Sequence, residues 1–237
     1  MKFAIEPSVL EIFPHVTIGV VRGIIETPRS TLNERVLELR QEALSRLYQF
    51  GLDTGNLTSH PHILAWRAAY QRFGVKPKKH NPTHEALARR LLRNGGWPTI
   101  NPIVDIYLTN QAAHLLPHGG YDQATLTGAL RLAVSKEAER FEALGGGEEF
   151  TTPGEVLYRD DQRILTRRWN YRDCEATKIT DDTKTFLLMI EAPSEEISRP
   201  AVDSAVRDLV ERYQRCFEGA FSYVVLSAAL ESNVFDL

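Results

Sequence analysis

Apolar residues follow helical spacing over much of the first half of the chain. Between residues 32 and 50 they stand three or four positions apart, which predicts an amphipathic helix. Gly51 follows directly, as glycine often does at a helix C-terminus. Similar spacing predicts further helices over residues 62–73, 81–93, 101–115 and 201–217.

Short runs rich in β-branched and aromatic residues predict strands, most of them after residue 150. The expected strands are 2–5, 8–13, 16–25, 155–158, 164–169, 177–179, 185–191 and 223–226. Helices in the first half and short strands in the second are typical of an α+β fold. The Gly145-Gly146-Gly147 run could divide two domains, but a surface loop within one domain is the preferred interpretation.

Composition limits the classes of protein to which the chain can belong. The 237 residues are 43% hydrophobic and 25% charged, as in ordinary globular domains. The longest apolar runs fall short of the roughly 18 residues that a membrane helix needs, and Glu6 and Pro7 do not suit a secretory signal. Cys174 and Cys216 lack metal-site spacing, which favours a reducing, cytoplasmic setting. We therefore expect no membrane partner.

Charge is distributed unevenly along the chain. The net charge of −3 argues against a protein that coats DNA or RNA through bulk positive charge. Between residues 76 and 93, however, basic residues give a local charge of about +5. These residues are Lys76, Lys78, Lys79, Arg89, Arg90 and Arg93. Such a patch attracts RNA phosphates, although a solvated helix face explains the same pattern.

The segment from Trp97 to Asp122 combines prolines, a Gly-Gly pair and several Asn or Asp residues around a short apolar run. One interpretation is structural, with the Gly119-Gly120 pair forming a turn with positive φ while Asn101 and Asp105 cap local backbone groups. The density of such residues favours the other interpretation, in which the segment forms a wall of a binding site.

A second polar segment runs from Arg167 to Asp173 and is followed by threonines at 177, 180 and 183. Tryptophan, arginine and hydroxyl groups together suit a pocket for an aromatic amino acid and its ester carbonyl. The alternative is a half-buried strand with Trp169 in the core and Arg167 or Arg168 paired with Asp160 or Asp161. Alternate side chains of one strand face opposite sides, so both can hold.

The sequence gives little support for metal-dependent or covalent catalysis. Prolines interrupt the two histidine pairs, His80/His84 and His114/His118, so neither pair is reliably on one helical face. The chain has no His-Glu-x-x-His motif, no cysteine cluster, no nucleotide-binding glycine loop and no Gly-x-Ser-x-Gly. We expect neither a metal nor a cofactor.

The Trp97–Asp122 segment resembles a signature of the editing domain of the phenylalanyl-tRNA synthetase β-subunit. The matching residues are Pro98, Ile100, Asn101, Val104, Asp105, Pro117, Tyr121 and Asp122. With the blocks around Arg67 and Arg167, the resemblance covers residues 67–191 in family order. It differs at one position, because family synthetases usually place a histidine where this chain has Gly119, and His118 stands one residue earlier.

The resemblance implies a single tRNA-editing-type domain, residues 1–237, in three layers, with a β-sandwich or strongly curved mixed sheet and helices packed outside. It also implies a freestanding deacylase that hydrolyses mischarged aminoacyl-tRNA, such as tyrosine on phenylalanine tRNA, and that contacts the tRNA acceptor end. The alternative is a non-catalytic module that binds tRNA ends or a small aromatic metabolite. The specific tRNA and the oligomeric state stay open.

Residue roles follow from this resemblance. A water positioned against an already activated ester, with donors for the oxyanion, suffices for hydrolysis without a nucleophile. The candidates for that catalytic work are Asn101, His118, Gly119, Gly120 and Asn170. The candidates for substrate binding are Asp105, Tyr121, Asp122, Arg168, Trp169, Thr180 and Thr183.

Overall fold

The computed structural model describes residues 1–227 and the backbone of residues 234–236. Its helices are α1 (Pro7–Ile12), α2 (Leu32–Gln49), α3 (Pro61–Arg72), α4 (Thr83–Asn94), α5 (Pro102–His114) and α6 (Arg199–Cys216). Its strands are β1 (Lys2–Ile5), β2 (Thr17–Pro28), β3 (His118–Asp122), β4 (Leu130–Val134), β5 (Arg140–Glu142), β6 (Glu148–Phe150), β7 (Val156–Arg159), β8 (Ile164–Arg167), β9 (Arg172–Asp173), β10 (Thr185–Ala192), β11 (Phe217–Ser227) and β12 (Val234–Asp236).

Two main sheets organise these strands. One has six strands in the order β12-β1-β4-β7-β8-β9, and the other has four in the order β11-β2-β10-β3. Within them β1 and β4 run parallel, and every other described pair is antiparallel. A separate hairpin joins β5 to β6. The expected α+β fold in several layers is confirmed, and none of the described sheets closes into a barrel.

The four-stranded sheet lies at the centre because its strands β2 and β10 are apolar on both faces. From Phe186 onward every residue of β10 is buried, as in strands covered on both sides. Helix α6 covers one face closely, since a Cβ on Gly19 of β2 would lie 2.3 Å from the side chain of Val206. Side chains of the opposite face meet those of β7 and β8.

Helix ends follow local sequence rules. Helices α3, α5 and α6 each begin with proline in the first turn, after a residue whose side chain accepts a hydrogen bond from the helix backbone. These residues are His60, Asn101 and Ser198. Helix α4 ends at Gly95 in a left-handed conformation. The helices expected from apolar spacing therefore appear with bounds shifted by only a few residues.

Three local expectations are wrong. Residues 8–13 form most of α1 and not a strand, because Pro7 starts a helical turn and Val9 packs inward. Residues 177–179 lie outside the strands. The Gly119-Gly120 pair is not a turn but the middle of β3, opposite Met189 and Leu188 of β10.

The buried hydrophobic side chains form one cluster that extends from Phe3 to Leu226. The Gly145-Gly146-Gly147 run is the turn of the β5–β6 hairpin, where all three glycines have positive φ. None of the helices in the described part of the chain is long and apolar enough to cross a membrane.

Candidate functional site

A small cavity lies where β3 and β10 of the central sheet face β7, β8 and β9 of the six-stranded sheet. Its volume is about 60 Å³, which holds about four water molecules at most. The lining residues are Thr83, Tyr107, His118, Gly119, Tyr121, Tyr158, Thr166, Trp169, Asn170, Tyr171, Asp173, Met189 and Glu191. Polar groups from five strands, one loop and two helices therefore converge on a space between two sheets.

Glu191 forms the inner wall of this cavity. Its carboxylate accepts hydrogen bonds from Trp169 Nε1 at 3.1 Å and from Asn170 Nδ2 at 2.8 Å. Tyr158 lies beside the same carboxylate, and its buried hydroxyl makes no well-formed hydrogen bond to any described residue. Burial raises the pKa of Glu191 to about 7, because a charged carboxylate loses its hydration there. The group is therefore poised to exchange a proton near neutral pH.

A second carboxylate, Asp173, lies at the edge of the cavity. Thr166 Oγ1 donates a hydrogen bond to Asp173 Oδ1 at 2.5 Å, and Tyr121 Oη lies 2.5 Å from the same threonine oxygen. Burial raises the pKa of Asp173 to about 6, although part of the residue still faces solvent. Two carboxylates with raised pKa thus share one space, an arrangement common in sites that carry out acid–base chemistry.

A strained turn places the side chains between the two carboxylates. Arg168 and Trp169 have φ values of 50° and 65°, in the left-handed region that non-glycine residues seldom occupy. Two hydrogen bonds hold the turn, one from Arg168 N to Glu155 Oε1 and one from Trp169 N to the Val156 carbonyl. Strain of this kind concentrates at functional sites.

The structure shows which groups contact Arg167 and Arg168, whose expected partners were Asp160 and Asp161. Arg167 is buried and makes a bidentate ion pair with Glu155, with a further bond to Glu149, so neither Asp160 nor Asp161 is its partner. The guanidinium of Arg168 makes no ion pair with any described carboxylate; its Nη1 lies 3.2 Å from His80 Nδ1. Arg167 is therefore structural, and Arg168 keeps its charge available.

His118 reaches the cavity, but protein groups occupy both of its ring nitrogens. Nδ1 lies 2.8 Å from the Leu116 carbonyl and Nε2 lies 2.6 Å from Asn110 Oδ1, while Asn110 Nδ2 has no partner among the described residues. Burial lowers the pKa of His118 to about 3, so the ring is neutral at pH 7. With its Nδ1 proton donated to Leu116, Nε2 needs a donor, which the Asn110 amide provides when its nitrogen faces the ring.

The two glycines of β3 have different surroundings. A Cβ on Gly119, which lines the cavity, would meet nothing within 4 Å. A Cβ on Gly120 would lie 2.1 Å from Leu188 Cδ2 and 2.8 Å from the Leu187 carbonyl. Gly120 is therefore needed for sheet packing, whereas the absence of a side chain at Gly119 keeps the cavity open.

Asn101 and Asp105 lie outside the cavity lining. Asn101 caps α5 through a bond from Val104 N, and its amide donates to the Ile179 carbonyl. Asp105 accepts from Ile100 N and pairs with Arg40 at 2.9 Å, while burial raises its pKa. Their polar groups are engaged in holding the start of α5.

Asp122, Thr180 and Thr183 form a separate network beside β3. Asp122 accepts hydrogen bonds from Ala124 N and from Thr183 Oγ1, and Thr183 Oγ1 accepts from Thr180 N. None of the three lines the cavity. Five of the twelve predicted catalytic and substrate-binding residues do line it, namely His118, Gly119, Tyr121, Trp169 and Asn170.

The basic stretch divides into two kinds of residue. Lys76, Lys78 and Lys79 are exposed on the loop before α4 and make no ion pair with any described residue. Arg89 instead pairs with the buried Glu85, and Arg90 donates to the Gly96 carbonyl at 2.6 Å. Arg93 is exposed in the last turn of α4. Of these basic residues, the three lysines are the nearest to His80 in sequence.

Sequence reasoning missed Glu191, Asp173, Thr166 and Tyr158. Glu191 had a usable signal, because a single carboxylate inside the apolar run of residues 185–192 is costly to bury without a purpose. Asp173 stands at the end of a segment already singled out for its polarity. Nothing in the sequence shows that these two carboxylates meet.

Two larger depressions, of about 430 and 630 Å³, run along α3. Their walls are mainly apolar or cationic, with Leu64 and Ala68 shared between them. Neither brings together a pair of carboxylates. A further depression of about 440 Å³ along α6 is lined by Asp203, Asp208 and Glu211, but Asp203 and Asp208 are already paired with Arg207 and Arg212. The smaller cavity is therefore the stronger candidate for chemistry. In the described residues, no group of three or more His, Cys, Asp or Glu side chains could hold a metal ion.

Comparison with known proteins shows the family to which this chain belongs. The profile of the B3/4 domain matches residues 65–231, which include every residue that lines the cavity. The chain belongs to the B3/4 domain family. In this B3/4 domain the match begins in α3 and ends beyond β11.

One of several solved structures that match this B3/4 domain belongs to a tRNA synthetase subunit. It is an N-terminal fragment of the phenylalanyl-tRNA synthetase β-subunit from Pyrococcus horikoshii, with 13% sequence identity and a TM-score of 0.44. The alignment covers 94% of this chain and 53% of the fragment, so this chain spans about half of its length. A TM-score this low carries no argument about function. Curated proteins give no match.

Proposed function

We propose that this B3/4 domain is a freestanding deacylase that hydrolyses the ester of a mischarged aminoacyl-tRNA. The observation that supports this proposal most is the pair of carboxylates with raised pKa in one cavity, inside the region that matches the B3/4 family. The resemblance of the Trp97–Asp122 segment to the synthetase editing domain supplies the substrate class. We propose a cytoplasmic setting on the same grounds.

Asp173 is the better candidate for the base. Its Oδ2 has no hydrogen-bond partner among the described residues, whereas both oxygens of Glu191 already accept bonds. With a pKa of about 6 it is mostly ionised at pH 7 and still basic enough to accept a proton from water. The water oxygen bonds to the ester carbonyl carbon, the bond from that carbon to the ribose oxygen breaks, and the proton passes through Asp173 to the ribose oxygen.

Glu191 then serves the other end of the substrate. Its position at the inner wall suits recognition of a polar group, either the α-amino group or a ring hydroxyl. A site that must bond such a group discriminates strongly against a substrate that lacks it. Because about 60 Å³ does not hold a whole aminoacyl group, we propose that the lining side chains move apart when the substrate enters, and we place the ribose and the rest of the tRNA outside the mouth.

Neutral His118, Asn170 and the β3 backbone complete this proposal as positioning groups. His118 packs against Tyr107, with ring centroids 6.5 Å apart, and fixes one wall. Asn170 is held by Tyr70 Oη at 2.8 Å while it bonds Glu191. For Asn101, Asp105, Asp122, Thr180 and Thr183 we propose an indirect role, through the placement of α5 and β3.

The test is hydrolysis of purified aminoacyl-tRNAs that carry cognate or non-cognate labelled amino acids. We expect a release rate well above spontaneous hydrolysis for a non-cognate aromatic amino acid, and a large loss in Asp173→Asn. Lys136→Gln, on the exposed loop between β4 and β5, is the matched surface control. Release no faster than the spontaneous rate from every aminoacyl-tRNA, with tRNA still bound, would favour the non-catalytic binding module.

We also propose that residues 1–237 fold as one domain. The single buried cluster from Phe3 to Leu226 supports this proposal. Denaturant unfolding followed by tryptophan fluorescence and by circular dichroism should give coincident single transitions. Two separated transitions would contradict it.

A further inference from the structure

Three side chains at the mouth of the cavity form a cluster that the proposed hydrolysis does not use. We call His80, Arg168 and Tyr171 the rim cluster. The Arg168 guanidinium lies 5.2 Å from the centre of the Tyr171 ring, and the His80 ring packs edge-on against Tyr171 at 4.8 Å. Tyr171 lines the same cavity as the two carboxylates, and His80 and Arg168 lie against Tyr171 outside the lining.

No described carboxylate makes a direct ion pair with the rim cluster, and Glu155 and Glu149 favour the charge of Arg168 only from a distance. Burial lowers the pKa of Arg168, and the neighbouring Arg167 lowers it further, yet no described carboxylate pairs with its guanidinium. Burial and the positive charge of Arg168 also lower the pKa of His80. A half-buried arginine without a counter-ion, above an aromatic ring, is suited to an anion that arrives from outside.

The rim cluster continues directly into exposed positive charge. The lysine loop, residues 76–79, ends at His80, and the His80 amide bonds back to the Lys76 carbonyl. Its three lysines are exposed and unpaired among the described residues. An anionic chain following this path would pass three cations, then an arginine and two aromatic rings, and would end at the cavity.

We propose that the rim cluster binds the 3′-terminal nucleotide of a single-stranded RNA end, with the base packed on Tyr171 and His80 and its phosphate on Arg168. Aromatic side chains beside cations are how proteins hold unpaired nucleotides. The left-handed turn at Arg168 and Trp169 serves this arrangement, because it sends Trp169 into the core while Arg168 stays at the mouth. The inference rests on the proposed function for the source of the RNA.

Binding of uncharged RNA tests the inference separately from hydrolysis. The probe is a short single-stranded RNA with a fluorophore at its 5′ end and CCA at its 3′ end, compared with the same RNA whose last nucleoside is abasic. Fluorescence anisotropy should show tighter binding of the intact RNA by roughly 5- to 150-fold, the range for one stacked base. This comparison uses the unaltered protein and needs no ester.

Two variants of the same residue then locate the effect. Tyr171→Phe should keep the preference for the intact RNA, and Tyr171→Leu should reduce it to less than about twofold. Lys78→Gln combined with Lys79→Gln should weaken both RNAs alike and flatten the salt dependence, whereas Lys136→Gln should change neither. Equal affinity of the unaltered protein for both RNAs, or a preference retained in Tyr171→Leu, would overturn the inference. Base-dependent binding without release of any amino acid would instead leave the rim site standing and remove the proposed deacylase.

Discussion

Replacing Glu191 by glutamine should change how stability depends on pH. Burial holds the pKa of Glu191 near 7 in the folded protein, against 4.5 for a solvated carboxyl. Between these values the folded state binds more protons than the unfolded state, so the free energy of unfolding falls as pH rises. This contribution is fully present below pH 4.5, is lost progressively up to about pH 7, and does not return above it.

The size of the effect follows from the same two values. One pH unit is worth about 1.4 kcal/mol, so the difference between 4.5 and about 7 corresponds to about 3 kcal/mol. Glutamine has nearly the same shape but a single acceptor oxygen, so it keeps the hydrogen bond from either Trp169 or Asn170 and loses the other, an offset that is the same at every pH. The variant should therefore gain about 3 kcal/mol relative to the unaltered protein between pH 4.5 and pH 7.5.

Urea unfolding at a series of pH values measures this difference directly. Other groups titrate in the same range, including His60, whose pKa burial lowers to about 4. Comparing the two proteins at each pH removes contributions that they share. Glu137→Gln, on the exposed loop after β4, controls for loss of a surface carboxylate. A difference between Glu191→Gln and the unaltered protein that stays constant from pH 4.5 to 7.5 would refute the reasoning.

Three further outcomes follow. Gly119→Leu should fold with stability within about 1 kcal/mol, because its Cβ meets open space, yet abolish release of the amino acid in the deacylation assay by filling the cavity. For RNA binding, log Kd plotted against log salt should lose about 0.7 of slope for each of Lys76, Lys78 and Lys79 that is neutralised, and an unchanged slope would contradict their role. Asp208→Asn should lower the urea-unfolding free energy by about 3–5 kcal/mol, because the buried Arg212 loses its carboxylate partner at 3.0 Å; a loss below 1 kcal/mol would show that Arg212 finds another partner.

The helices and the α+β class could be predicted because their signals are local. Apolar spacing, a proline in the first turn and a glycine after the last turn all act within a few residues, and α2 and α4 follow these rules at one end or both. The same reasoning failed for residues 8–13, because six residues are too few to distinguish helical spacing from strand alternation. The Gly119-Gly120 pair was misread because its requirement comes from Leu188, nearly seventy residues away.

The cavity was harder to predict than the fold. Asn101 and Asp122 resemble site residues in sequence, but both cap local backbone groups, and capping uses the same residue types as binding. Asp173 and Glu191 come together only because β9 and β10 belong to sheets that face each other. Pairing of this kind depends on topology, which local patterns do not encode.

The left-handed pair at Arg168 and Trp169 has a consequence for any attempt to engineer this protein. Each such residue costs roughly 1–2 kcal/mol, a sizeable share of the 5–15 kcal/mol that typically separates folded from unfolded states. Glycine or asparagine at position 168 would relieve its part of that cost. Selection of a library for heat resistance alone would therefore favour replacement of Arg168. The selected protein would be more stable but would lack the cation at the mouth of the cavity. Selection for stability and selection for ligand binding therefore favour different residues in this turn.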